Sequence, residues 1–117
     1  MHDLETLLMA MTREYAENEP SLEEVCSLPG ATLLEFGAPW CGHCARMQPA
    51  LAEAFAGRDD VRHLKIEDGR GRPLGRSYGV KLWPTLIFLR DGRELARLVR
   101  PRASADIVTA FRQQETG

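Results

Sequence analysis

Ala31-Thr32-Leu33-Leu34-Glu35-Phe36-Gly37-Ala38-Pro39-Trp40-Cys41-Gly42-His43-Cys44 decides the fold. Residues 31 to 38 are mostly apolar and bounded by Pro29-Gly30 and by Pro39, the form of a strand covered on both faces of a sheet. From Cys44 to Phe55, apolar Met47, Leu51, Ala54 and Phe55 recur at the spacing of one helical face. Cys41 therefore stands where a strand turns into a helix. Unpaired backbone N–H groups and the positive end of the helix dipole gather there and favour a thiolate over a thiol. Two thiols spaced C-x-x-C at such a junction can close a reversible disulfide, and the thiolate is the attacking species in exchange.

Other chemistry for this cysteine pair is poorly served. Half of a zinc site would need two more ligands, and neither a second C-x-x-C nor paired histidines follow. Haem attachment needs a histidine directly after the second cysteine, where Ala45 stands. Cys41, nearer the helix start, is the expected nucleophile, and Cys44, one turn inside, the resolving thiol. Between them lies His43, whose protonated imidazole would further stabilise the Cys41 thiolate. Glu35 is a carboxylate in an otherwise apolar strand, where burial would raise its pKa toward the range useful for proton transfer, so it is placed to accept the proton of Cys44. Trp40, adjacent to Cys41, flanks the expected active surface.

On the segment from Leu34 through Cys44 the chain resembles the thioredoxin superfamily, and most of all a catalytic domain of protein disulfide isomerase. The resemblance runs over roughly residues 21 to 115. Pro49 falls where the family has a kinking proline, and Tyr78-Gly79-Val80 with Trp83-Pro84-Thr85 occupy the place of its cis-proline loop. It implies an α/β thioredoxin fold, a central mixed β-sheet flanked by helices on both faces. It also implies a buried acid six residues before the nucleophile, the place of Glu35. Substrate would lie across Trp40, Gly42, Trp83, Pro84, Thr85 and Arg100, with a cis bond at Pro84 leaving the Trp83 backbone free to pair with an extended segment. The sequence departs from the family where Trp83 replaces a small or β-branched residue and where Arg100 replaces a glycine. That arginine, followed by Pro101-Arg102, makes the expected groove more basic and more selective.

The remaining elements follow from local signals. Ser21-Leu22-Glu23-Glu24 has the form of a capping box, and Pro29-Gly30 ends the helix it starts. Val61 to Ile66 reads as a strand, Gly69 to Pro73 as a loop before a short helix ending near Tyr78, Leu86 to Leu89 and Leu95 to Val99 as a hairpin about Asp91-Gly92, and Ser104 to Arg112 as a closing helix. Residues 1–20 form an N-terminal extension or first edge element, with Leu4, Leu7, Leu8 and Met11 as a helical face or Thr12 to Ala16 as an edge strand. Residues 21–117 form the domain, single overall. Cys26, four residues after Leu22, is expected to be buried and inert, and His2 and His63 to be ordinary surface histidines.

At 117 residues with 44% hydrophobic content, one core is expected, and no stretch approaches membrane-spanning length. Residues 1–60 carry 3 basic and 11 acidic side chains, residues 61–117 carry 12 and 6. With no aromatic residues between Arg70, Arg72 and Arg76, this asymmetry describes a surface rather than a nucleic-acid platform. Three cysteines and no basic leader point to a cytoplasmic protein in which a C-x-x-C is catalytic. The expected function is thiol-disulfide exchange on disulfide-containing proteins by a monomer without cofactor or metal, reduced in turn by a thioredoxin reductase or glutathione. The alternative is a binding or assembly module that holds a partner at the Pro84 surface without turnover. The direction of electron flow stays open, since Gly42-His43 resembles an oxidising isomerase while a cytoplasmic location suits a reductase.

Overall fold

In the structure, a computed structural model that describes residues 11–117, six of the seven residues of β1 (Ala31–Gly37) are buried, and the sheet is built outward from this strand. β1 pairs in parallel with β2 (Val61–Glu67), a connection that needs a crossover, supplied by α2 (Gly42–Phe55). On its other edge β1 pairs antiparallel with β3 (Thr85–Arg90), which turns back into β4 (Arg93–Val99), giving the order β2-β1-β3-β4. The expected mixed sheet is the one observed. The short helices α1 (Leu22–Cys26) and α3 (Pro73–Ser77) and the closing helix α4 (Ser104–Thr116) complete the described elements.

Alternate strand residues build two cores. Leu33, Val61, Leu86 and Phe88 join Met47, Leu51 and Phe55 of α2 and Ile107, Ala110 and Phe111 of α4. Phe111 sits edge-on to both Phe55 and Phe88, at 5.3 and 5.1 Å between ring centres, contacts worth about 0.5–1.5 kcal/mol each beyond their buried area. Leu34 and Phe36, one residue out of phase, face the opposite way with Ile66, Ile87 and Leu89, against Val25 of α1 and Leu74 of α3. Helices thus cover both faces because β1 offers apolar side chains to both.

Three expectations are revised. The capping box forms, with Ser21 Oγ accepting the Glu24 N–H at 3.0 Å and Glu24 Oε1 accepting the Ser21 N–H at 2.9 Å. The helix behind it is only five residues long, however, and Val25 alone is buried, so Cys26 shares an exposed side with Leu22. Residues 12–16 run beside β2 without forming a strand: Ala16 donates to Lys65 O, but Thr12 spends its N–H on His63 Nδ1 and its hydroxyl on His63 O, so no backbone ladder develops. Of the alternative helical face, only Met11 lies within the described residues, packed on the first core.

The closing helix runs past its expected end at Arg112 because Gln114 is buried and serves the sheet. Its Nε2 donates to Thr32 O (2.9 Å) and Leu89 O (2.7 Å), carbonyls of residues paired across β1 and β3. Replacing Gln114 with Leu strips both buried acceptors of that donor and is expected to lower stability by about 2–4 kcal/mol. Urea unfolding measures this, and an unchanged midpoint would mean that the carbonyls are satisfied elsewhere.

Candidate active site

The first turn of α2 begins directly after Cys41, whose extended backbone lets its Sγ accept the Cys44 N–H at 3.1 Å. A thiol here fills the role of a helix-capping Ser or Asp oxygen, at the end where negative charge is favoured. Cys41 is half-buried and Cys44 is 3% exposed, both are free thiols, and both line a cleft of about 480 Å³ with Tyr15, Pro39, Gln48 and Lys65. Burial, and next the hydrogen bond to the Cys41 sulfur, pushes the Cys44 thiol up to about 11, while the Ala38 backbone and the Tyr15 hydroxyl pull the other way. The two sulfurs are therefore unequal by position.

Gly37, the last residue of β1, makes this arrangement possible. A Cβ there would stand 2.6 Å from Cys44 Sγ and 3.0 Å from the Tyr15 hydroxyl, so the missing side chain is the space in which the two meet. Burial, followed by the nearby Cys44 and Glu35, raises the Tyr15 phenol far above its ordinary value and keeps it a proton donor to sulfur.

Glu35 has no solvent exposure. Its Oε1 lies 2.9 Å from His63 Nε2, its Oε2 accepts from Gln48 Nε2 at 2.9 Å, and Lys65 Nζ stands 3.9 Å away. The same Gln48 nitrogen donates to Cys44 O at 3.1 Å, linking the acid to the turn that carries the second thiol. The surface reading of His63 is thus corrected. Parallel register sets His63 opposite Leu33 and Lys65 opposite Glu35, so both side chains fall on the covered face, with the imidazole against Phe55 at 5.3 Å. Because Nδ1 accepts the Thr12 N–H at 2.8 Å, the imidazole proton sits on Nε2 and donates to Glu35. His2 lies outside the described residues.

His43 is exposed, and Arg46 Nη2 lies 3.1 Å from its Nδ1. A guanidinium can only donate, so Nδ1 presents a lone pair and the ring is neutral. Arg100 above all, with slight desolvation, Arg46 and Arg102, holds the His43 pKa below its ordinary value. The expected imidazolium is thereby corrected: positive charge on this side of the motif is carried by arginines.

The other expected substrate contacts divide. Trp40 is 71% exposed, and Gly42 opens α2 beside the Arg46 guanidinium. The Trp83–Pro84 bond is cis. Pro84 and Thr85 are buried, and the Thr85 hydroxyl donates to Leu82 O at 2.6 Å, shaping the loop rather than facing outward. The Trp83 ring packs on the second core and donates its Nε1–H to Asp68 Oδ2 at 2.9 Å. Its backbone is not left wholly free, because Trp83 O accepts from Arg100 Nε at 2.8 Å. Arg100 itself has φ +52, the left-handed region that favours glycine, and donates its N–H to Pro84 O at 2.9 Å.

Sequence reasoning missed Tyr15, Gln48, His63 and Lys65. His63 and Lys65 carried a usable signal, two polar residues in phase on a strand beside an acid-bearing one; Tyr15 carried none. Removing its hydroxyl with Tyr15→Phe takes a donor from the forming Cys44 thiolate and is expected to slow release of a Cys41 mixed disulfide about tenfold, the low end for a hydrogen bond to a charged group. Rapid-quench mass spectrometry reads that release. Equal rates would exclude a role for the hydroxyl.

The sequence profile of the Thioredoxin family matches residues 15–113. Protein disulfide-isomerase A3 of Gallus gallus is 38% identical over 87 residues, covering 74% of this chain and 17% of that protein. Protein disulfide-isomerase of the same species is 33% identical over 90 residues, covering 73% of this chain and 18% of that protein. The chain thus spans about a fifth of the length of these curated relatives. Among solved structures, thioredoxin 2 from Pseudomonas aeruginosa PAO1 in its reduced form superposes with a TM-score of 0.80 at 52% identity, over 92% of this chain and 100% of that one. A mutant thioredoxin from Halobacterium salinarum NRC-1 gives 0.65 at 28% identity, over 81% and 83%.

Proposed function

The chain belongs to the thioredoxin family, and we propose that it reduces or exchanges protein disulfides through a Cys41/Cys44 dithiol–disulfide cycle. The observation that carries this reading is the asymmetric pair, one half-buried sulfur capping a helix and a buried thiol whose N–H it accepts. Similarity to protein disulfide-isomerases and to a thioredoxin supports the same class of reaction.

In the cycle, Cys41 thiolate attacks one sulfur of the substrate disulfide; the new S–S bond forms as the old one breaks and the first substrate thiolate leaves. Cys44 then attacks the Cys41 sulfur, the mixed disulfide breaks, and the second substrate thiolate leaves. The two electrons of the dithiol pass to the substrate, and its two sulfurs take up the protons that the cysteines lose. With its thiol pushed up to about 11, Cys44 is protonated at pH 7. Its proton needs an acceptor there. Glu35, linked to that turn through Gln48, serves as the base, and Lys65 and His63 hold the carboxyl group in position. In a reducing compartment such as the cytoplasm, a thioredoxin reductase or glutathione returns the electrons.

With a protein disulfide as substrate, Cys44→Ser is expected to accumulate a thiol-reversible adduct on Cys41, and Cys41→Ser none. In otherwise intact protein, Glu35→Gln should slow resolution near pH 7, the loss shrinking as pH rises toward 11 and the thiolate forms unaided. Absence of the adduct would contradict turnover and leave the binding module; an unchanged Glu35→Gln profile would remove the base.

A further inference from the structure

Beside the cysteine motif lies a pocket of about 480 Å³ lined by His43, Arg46, Met47, Arg100, Pro101 and Arg102. Three arginines line it. Among the described residues none of the three belongs to an ion pair, although Arg58, Arg72 and Arg97 all do. Among the described residues, Asp106 is the one carboxylate lining the neighbouring groove with Arg100 and Arg102, and it pairs with neither. Like charges repel, and among the described residues no carboxylate lines the pocket.

Two of the three arginines are also positioned. Arg100 is tied to the cis-proline loop by its N–H on Pro84 O and its Nε on Trp83 O, and Arg46 gives one nitrogen to His43 Nδ1. The other guanidinium nitrogens have no partner among the described residues. A neutral His43 adds no charge of its own and keeps an Nε2–H donor.

Building on the disulfide-exchange reading above, we infer that this pocket selects target disulfides flanked by a carboxylate, which the Arg46, Arg100 and Arg102 guanidiniums bind as it docks beside Cys41. Guanidinium and carboxylate match in plane and in donor–acceptor spacing, so the pocket reads a carboxylate better than a diffuse negative field would. The chain's own net charge of −2 works against anions at long range, so any preference for them is local. A carboxylate also gives Arg100 a partner in exchange for Trp83 O. That carbonyl then becomes available to an extended substrate segment, coupling recognition of the charge to pairing with the loop.

The carboxylate can belong to glutathione or to an acidic side chain beside a protein cysteine, and the test separates the two. Reduced full-length protein is mixed with glutathione disulfide, with uncharged bis(2-hydroxyethyl) disulfide, and with matched peptide disulfides bearing Glu, Gln or Lys next to the cysteine. Each rate is divided by the rate for dithiothreitol to remove intrinsic reactivity. The expected result is a preference of about fivefold or more for Glu over Gln and a further loss with Lys, shrinking at 0.5 M salt as the charges are screened. Arg102→Gln and Arg100→Gly, the latter suited to the positive φ, should bring the ratio near one. Arg93→Gln, at the far end of β4, should leave it unchanged. Preference in the peptide arm names protein carboxylates, and preference confined to glutathione disulfide names the small molecule. Equal normalised rates for all disulfides, or a preference untouched by the Arg100 and Arg102 variants, would overturn this inference alone. Failure to reduce any disulfide would overturn the oxidoreductase reading and this one with it.

Discussion

A carboxylate with no access to solvent organises one end of this molecule. Removing one partner from a buried ion pair typically costs about 3–5 kcal/mol, so the presence of Glu35 under α2 fixes much of what surrounds it. His63 and Lys65 project from β2 toward it because parallel register puts them on its face. Gln48 reaches down from α2 to its second oxygen. The segment before α1 is then held over the group: Thr12 bonds His63, Lys65 Nζ donates to Arg13 O, and the Tyr15 ring lies 4.9 Å from the Lys65 ammonium. That covering delivers the Tyr15 hydroxyl to Cys44, so the buried acid and the buried thiol share one set of supports.

The dithiol is divided by the helix it starts. The outer sulfur caps the first turn and stays half-buried, and the inner one sits in the core at the end of β1, where only a glycine leaves it room. Burial makes the inner thiol reluctant to ionise, so in the proposed cycle its attack on the outer sulfur is tied to proton transfer. Charge enters the same surface from the opposite side. Arg100 takes a backbone conformation that glycine accepts more readily, and its anchoring to the Pro84 loop brings a guanidinium to the motif.

Much of this is legible in the sequence alone. The apolar run into Cys41, the helical spacing after Cys44 and the hairpin signals mark the individual elements, and the resemblance to the thioredoxin superfamily supplies their arrangement in a mixed sheet. The placing of the two cysteines at a helix start follows from their spacing, and the burial of Glu35 from its place in an apolar strand. What stayed hidden depended on contacts distant in sequence. His63 looks like a surface residue until the register of β2 against β1 is known, and Tyr15 lies 29 positions before the thiol it touches. The charge of His43 is decided by Arg100 and Arg46, from two different elements, and the exposure of Cys26 by a helix too short to bury more than Val25.

The sharpest test of the Cys41/Cys44 couple is equilibration of the full chain with glutathione buffers, with the two redox forms quantified by alkylation and mass spectrometry. The expected result is a single two-electron transition confined to those two sulfurs, at a potential between roughly −270 mV, as in thioredoxin, and roughly −180 mV, as in protein disulfide isomerase. No two-electron transition, or one that pairs Cys26 with either sulfur, would contradict it.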